Sequence, residues 1–373
     1  MTDSDVIARV EVSLIQVPLQ RPLSDAKVLS GRQGPLSHVA MLVADITSRD
    51  GQRGFGFSYA LRAGGAALYA HACELAPFLK GEDPADIGRL WERLAWQGAS
   101  ISRTGLSVQA IAAFDTALWD MKARRAGLSL AKLLGCHRQA VPCYNTSGGY
   151  LNTPLDEVLA NVDRSLSRGI GGIKLKVGQA ELTRDIERVR AVRRHVGDAV
   201  PIMVDANQQW DSATALRAGR MLEEFALTWI EEPLSAYDAR GHARLSRALD
   251  TPIATGEMLS SIAEIQPLID HQSVTFLQPD LPRVGGFTPF LKIMAQAEQQ
   301  RLKLAPHFVM ELHVHAAAAY ALDTWLEHIE WLEPAFNERI EIREGCMRVP
   351  TLPGLGLTLS EQALRWRQAR LAA

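Results

Sequence analysis

The rhythm of apolar and polar positions changes once along this chain, near residue 140. Before that point, residues 6–20 and 38–60 carry apolar runs of strand character. Asp50-Gly51 is placed to turn between two strands, just ahead of Gly54-Phe55-Gly56-Phe57. Apolar residues then recur at helical spacing over 66–80, 84–97 and 105–125, the last segment stopping at Gly127. Strands followed by helices, without alternation, predict a separate α+β domain over residues 1–130. The polar stretch from Arg21 to Ser37, with Gly31, Gly34 and Pro35, reads either as a lid over a site or as a plain surface loop.

Beyond residue 140 short apolar runs alternate with amphipathic segments. Strands are predicted over 141–145, 172–177, 201–205, 227–231, 252–255, 275–278 and 302–305, with an eighth within 324–331. Helices are predicted between them, over 154–168, 180–196, 212–225, 238–249, 261–271, 287–300 and 310–322. Strand and helix in strict alternation, with repeats of this length, predict an α/β fold with a (β/α)8 TIM-like barrel over 131–350. Residues 351–373 then return to the first domain, through a turn-rich stretch from Pro350 to Gly356 and a last helix over 360–371.

Composition narrows the picture. A chain of 373 residues accommodates one barrel and a smaller domain, and 22% charged with 47% hydrophobic residues is ordinary for a globular protein. A formal net charge of −2 implies no basic face, so no nucleic-acid partner is expected. Cys73, Cys136, Cys143 and Cys346 show no CxxC spacing and read as reduced thiols of a cytoplasmic protein. Met1 to Val10 has no cationic start leading into an apolar stretch, so no signal peptide is expected. No apolar run approaches the roughly 18–20 residues that span a bilayer, so no membrane partner is expected either.

The candidate chemistry lies at the ends of the predicted barrel strands: Lys174-Leu175-Lys176, Asp205-Ala206-Asn207, Glu231-Glu232-Pro233, Gly256-Glu257, Asp280 and His307. From Lys176 onward these groups follow one another at 29, 26, 26, 23 and 27 residues, the length of one strand, one helix and two loops. Barrel strand ends converge on one mouth, so the groups are expected to meet there. Lys174 and Lys176, two apart on a strand, point the same way, and crowding with desolvation is expected to lower an ammonium pKa toward that of a working base. Asp205, Glu231 and Glu257 would repel one another unless a hard cation lay between them, and Mg2+ is the default for oxygen ligands. Asp280 beside His307 would fix the imidazole tautomer and leave its other nitrogen for proton transfer. Glu327, at the presumed eighth strand, completes the ring as a substrate contact or a rim charge. Glu232, pointing away from Glu231, is read as structural, and His313 and His315 as packing or surface residues.

The KxK, DxN, EEP, GE, D and H elements occur in the order found in the enolase superfamily. The whole chain resembles the mandelate-racemase subgroup, whose members join an α+β capping domain to a modified barrel. The resemblance to the acid-sugar dehydratases of that subgroup is carried by Asp25-Ala26-Lys27-Val28-Leu29, Phe57-Ser58-Tyr59, Arg62-Ala63-Gly64-Gly65 and Cys143-Tyr144-Asn145-Thr146-Ser147-Gly148-Gly149. It continues in Gly172 to Gly178, Val204 to Trp210, Leu304 to Phe308 and Trp325 to His328.

That resemblance implies one Mg2+ per subunit on Asp205, Glu231 and Glu257. Lys176 is implied as the base with Lys174 as its partner, and His307 with Asp280 as the general acid. Asn207 and Glu327 are implied as substrate contacts, and Asp25, Lys27 and Arg62 as contacts to the distal end of a diacid. The activity implied is dehydration of galactarate and L-talarate through an enediolate to a 2-keto-3-deoxy aldarate, with epimerisation at the side. A racemase, epimerase or dehydratase of another acid sugar is the rival within enzymes, and a catalytically silent barrel the rival outside them. Barrels of this group are commonly homo-oligomers, so self-association is expected.

Overall fold

A computed structural model of the chain describes residues 6–23, 25–146 and 149–372. Ser24 in the predicted loop, Ser147 and Gly148 in the Cys143–Gly149 stretch, and Met1–Asp5 of the N-terminal segment lie outside the described residues. Strands β1 (Ile7–Leu23), β2 (Leu36–Ser48) and β3 (Arg53–Leu61) form an antiparallel meander. At the β2–β3 turn Asp50 accepts hydrogen bonds from Ser48 Oγ and Gln52 N, and Gly51 takes the left-handed φ of 85° the turn demands.

Strand β3 shows how the cap meets the barrel. Its even positions face the long helix Leu106–Arg125, and a Cβ at Gly54 or Gly56 would lie 2.1 or 2.2 Å from a helix carbonyl oxygen. Only glycine permits that approach. Its odd positions carry Phe55, Phe57 and Tyr59 to the opposite face, by the two-residue period of a strand. There Phe57 meets Phe336 at 5.3 Å and Tyr59 meets Phe308 edge-on at 4.8 Å between ring centres. Two buried acids of the same helix also bind the barrel domain. Asp115 accepts from Thr288 N and Oγ1 (3.0 and 2.5 Å), and Asp120 accepts from Leu355 N at 2.6 Å.

The barrel strands are β4 (Ala140–Asn145), β5 (Gly172–Lys176), β6 (Ile202–Asp205), β7 (Trp229–Glu231), β8 (Ile253–Thr255), β9 (Phe276–Leu277), β10 (Lys303–Leu304) and β11 (Leu326–His328). They run parallel in chain order; β11 pairs with β4, and a bridge from Leu304 to Thr324 closes the ring. Tyr144, Met203, Trp229, Ala254, Phe276 and Ala305 pack together as an apolar cluster beneath the mouth. A helix follows each of the first seven strands. The eighth leads only to a short 3-10 turn, Glu333–Ala335. A hairpin of β12 (Ile342–Arg343) and β13 (Cys346–Arg348) then lies antiparallel on β4, which is the departure from a regular barrel.

The C-terminus differs from the expected helix over 360–371. Only Glu361–Arg365 is helical, and β14 (Arg367–Ala372) pairs antiparallel with β1. The open edge of β1 provides a row of unpaired backbone groups, and satisfying them outweighs the helical preference of this short segment. His313 and His315 are fully buried, so they are packing rather than surface residues. No helix among the described residues is long and apolar enough to cross a membrane.

Candidate active site

Parallel register does most of the assembly. It sets Lys176 beside Asp205, and Asp205 beside Glu231, on three neighbouring strand ends. Glu257 follows Gly256, whose φ of 135° and 3.2 Å clearance to Gln278 N exclude a side chain. The result is a buried cluster in which ligand oxygens of Asp205, Glu231 and Glu257 all lie within 4.8 Å of one another. Lys174 Nζ sits 2.5 Å from Glu231 Oε1 and 2.7 Å from Glu327 Oε1, and Lys176 donates to Asp205 Oδ2. From the barrel interior, Trp229 Nε1 and Gln278 Nε2 donate to Glu231 Oε2 at 2.9 and 2.7 Å. Asn207 donates to Asp205 through its backbone and side chain, while its own Oδ1 is buried without a partner.

Four carboxylates thus face two ammonium groups. The set fits a hard divalent cation: its three candidate ligands offer only oxygen, and acids remain in surplus over the lysines. The same surplus corrects the expectation for the lysines. Burial alone would lower Lys174, but the Glu231 and Glu327 charges override it and hold its pKa well above the usual lysine range. Lys176 is likewise raised: burial opposes, Asp205 prevails, and repulsion from Lys174 is the lesser effect. Burial would raise Asp205, yet the two ammonium groups leave it below its ordinary value. Glu231 moves upward, because burial and the neighbouring acids outweigh Lys174, whose charge is shared with Glu327. Glu232 is also fully buried; both its oxygens accept from Gln208 Nε2, and burial raises it well above the carboxylate range.

Across the mouth, His307 Nδ1 lies 2.8 Å from Asp280 Oδ2, and its Nε2 is 3.7 Å from Glu257 Oε2. Burial would lower the imidazole, but Glu257 and the Asp280 hydrogen bond leave it raised. Two residues not foreseen from sequence complete this side. Tyr59 donates its hydroxyl to Asp280 Oδ2 at 2.5 Å. Arg283 reaches Tyr59 Oη (3.2 Å) and Glu257 O (3.0 Å). The period-two placement of Tyr59 after Phe55 and Phe57 was the available signal.

The remaining expected residues fall in the same place. Asp25, Lys27 and Arg62 from the cap line one cavity with Lys174, Lys176, Asn207, Glu257, His307 and Glu327 from the barrel. Glu327 is held by Phe308 N (2.8 Å) and Thr146 Oγ1 (2.6 Å), as well as by Lys174. Asp205, Glu231 and Asp280 stand directly behind this lining, bonded to Lys176, Lys174 and His307.

Comparison with known proteins shows the family and the fold. Residues 16–135 match the mandelate racemase / muconate lactonizing enzyme N-terminal domain, and residues 157–363 match the enolase C-terminal domain-like family. L-talarate/galactarate dehydratase of Salmonella typhimurium strain LT2 is 61% identical over 98% of this chain and 92% of its own length. The 3,6-anhydro-alpha-L-galactonate cycloisomerase of Streptomyces coelicolor is 36% identical over 96% of this chain and 98% of its own. The crystal structure of the Salmonella enzyme liganded with Mg and L-lyxarohydroxamate superposes with a TM-score of 0.97, at 60% identity, covering 98% of this chain and 94% of that one. L-Talarate dehydratase from Polaromonas sp. JS666, complexed with Mg and L-glucarate, gives 0.97 at 61% identity over 99% of both chains. The chain belongs to the enolase superfamily, in the group that joins a mandelate racemase/muconate lactonizing enzyme N-terminal domain to an enolase-like barrel.

Proposed function

We propose that the protein is a Mg2+-dependent hydro-lyase that removes water from the six-carbon aldarates galactarate and L-talarate. The observation that carries this is the placement of Lys176 and His307 at one cavity with the three-acid cluster, under a cap that contributes Lys27. Relatives that act on acid sugars and are seen with Mg support the same substrate class and metal.

Asp205, Glu231 and Glu257 would hold the metal. When bound, Mg2+ supplies Lewis acidity toward the substrate carboxylate and competes for the acids that hold Lys176 protonated. Lys176, as the free amine, takes the proton next to that carboxylate. Lys174 stays charged against Glu231 and Glu327 and balances the carboxylate as electrons move into it. His307 has Nδ1 engaged by Asp280, so Nε2 delivers a proton to the departing β-hydroxyl; the C–O bond breaks and water leaves. The enol that remains becomes a 2-keto-3-deoxy aldarate. Asn207 Oδ1 is suited to accept from a substrate hydroxyl, and the cap closes the distal end. Two groups able to exchange protons at one cavity also support side epimerisation between the two aldarates.

Four free cysteines fit a reducing, cytoplasmic location, and the exposed Trp96 and Ile101 fit a homo-oligomer that covers them. The mechanism is tested in D2O. His307→Asn is expected to lose dehydration yet still exchange the α-hydrogen of a substrate that presents it to Lys176. Loss of exchange in that variant, with exchange intact in Lys176→Ala, would reverse the two roles.

A further inference from the structure

We infer that Arg62 is a positioning residue: it fastens the cap loop that carries Lys27 over the barrel mouth and leaves Lys27 to meet the distal carboxylate. This rests on the aldarate reading above and deepens it, because Asp25, Lys27 and Arg62 cease to be three equivalent contacts.

The geometry assigns the guanidinium to the loop. Arg62 Nε donates to Gly34 O at 2.9 Å, and the same side chain donates to Asp25 Oδ2 at 2.8 Å. These acceptors lie near the two ends of the segment between β1 and β2. The other oxygen of Asp25 accepts from Lys27 N (2.9 Å) and Val28 N (3.1 Å), and so starts the helical turn Ala26–Leu29. Within the loop, Lys27 O accepts from Arg32 N and Gln33 N at 2.9 and 3.1 Å. One chain of hydrogen bonds therefore runs from Arg62 through Asp25 to the backbone of Lys27.

The backbone at Arg62 is shaped for this task. Arg62 has φ 61°, in the left-handed region, inside a three-residue turn closed by Ala63 N to Leu61 O at 2.6 Å. An arginine held there is strained, and strain persists where surrounding contacts over-determine it. Here the two loop acceptors provide those contacts.

Charge gives the second argument. Arg62 and Asp25 form a closed pair, so together they offer a distal carboxylate no net attraction. Asp25 would instead repel a carboxylate brought up to the guanidinium. Lys174, Lys176 and Arg283, the other strong cations of the cavity lining, are bound to acids, a hydroxyl or a carbonyl. Lys27 is the cavity-lining cation whose ammonium makes no hydrogen bond or close ion pair among the described residues, although its charge also acts on buried Glu232. That ammonium, free of any close acid, matches one distal carboxylate.

The test compares Asp25→Asn, Arg62→Lys and their double variant. Galactarate is the diacid and galactonate the monoacid of equal chain length. Asparagine keeps the turn-starting oxygen but loses the charge facing Arg62, and lysine keeps charge but cannot span both acceptors. Each single change is expected to raise KM for galactarate more than it lowers kcat, with kcat/KM down about 10-fold. Galactonate should be less affected, and the double variant no worse than the weaker single one. Trypsin cleavage after Arg32 should be about 5-fold faster in each variant, a readout of loop opening that needs no substrate. Were Arg62 itself the carboxylate contact, Asp25→Asn would free it and improve galactarate use, and Arg62→Lys would retain activity. That result, or an unchanged cleavage rate, would overturn the assignment. Should the unaltered enzyme leave galactarate untouched, the substrate reading falls while the cleavage rates still decide whether Arg62 fastens the loop.

Discussion

Tyr59 of the cap donates its hydroxyl to Asp280 of the barrel, 2.5 Å away and 221 residues along the chain. Because Asp280 Oδ2 also faces His307, a cap side chain takes part in orienting the imidazole that faces the cavity. Tyr59→Phe keeps the edge-on contact with Phe308 and removes the hydroxyl, the donor to Asp280 and the acceptor for Arg283 Nε. It is expected to fold normally and to lower kcat roughly 10- to 100-fold, the range found when an orienting partner is deleted. Unchanged turnover would show that Asp280 holds His307 unaided.

Trp229 reaches the same centre from below. Its indole N–H is one of two donors to Glu231 Oε2, the other being Gln278. Trp229→Phe is expected to weaken Mg2+ binding by about 10- to 100-fold in a calorimetric titration. Equal affinity in the variant would mean that Gln278 and Lys174 suffice to orient the carboxylate.

His315 lies far from this chemistry and gives a clean pH signature. Its Nδ1 accepts from Ala131 N and its Nε2 faces Leu355 O, both at 3.2 Å, an arrangement that suits the neutral ring. Burial pulls the imidazole down to about 4 from its ordinary 6.5. A depressed folded value means the stability is present above pH 6.5 and is lost as pH falls toward 4. The full loss is on the order of 3 kcal/mol. Buried Asp115 and Glu311, raised to about 7 and about 8, act in the opposite sense, so the whole-protein curve mixes signs. The difference in unfolding free energy between the protein and His315→Gln isolates one group, and it should shrink from pH 7 to pH 4.5. A difference independent of pH would refute the assignment.

Gly56 tests the seam between β3 and the cap helix. A Cβ there would lie 2.2 Å from Ala113 O and 2.4 Å from Ala117 N, both backbone atoms that cannot step aside. Gly56→Ala is expected to cost about 1–3 kcal/mol in denaturant titration. Because Tyr59 is carried by the same strand, kcat should fall as well. A variant as stable and active as the parent would show that the seam relaxes freely.

Much of the site could be read along the chain because a β/α unit has a nearly fixed length. Asp205, Glu231 and Glu257 sit at strand ends for the same reason that they recur at 26-residue intervals. What the chain alone does not show depends on neighbours distant in sequence. Residues 367–372 are composed like a helix end, yet β1 recruits them as its edge partner. The direction of the lysine pKa shifts followed from Glu231 and Glu327 both reaching Lys174, which counting lysines could not reveal. Tyr59 stands in plain view, but only docking of the cap on the barrel brings it to Asp280 and Arg283.

The most direct measurement is keto-acid formation from galactarate and from L-talarate, in parallel, with Mg2+ and with excess chelator. The account predicts product from both aldarates, abolished by the chelator and restored by Mg2+. No product from either aldarate, with Mg2+ shown by titration to be bound, would contradict the proposed substrates and leave an enolising site in search of another acid sugar.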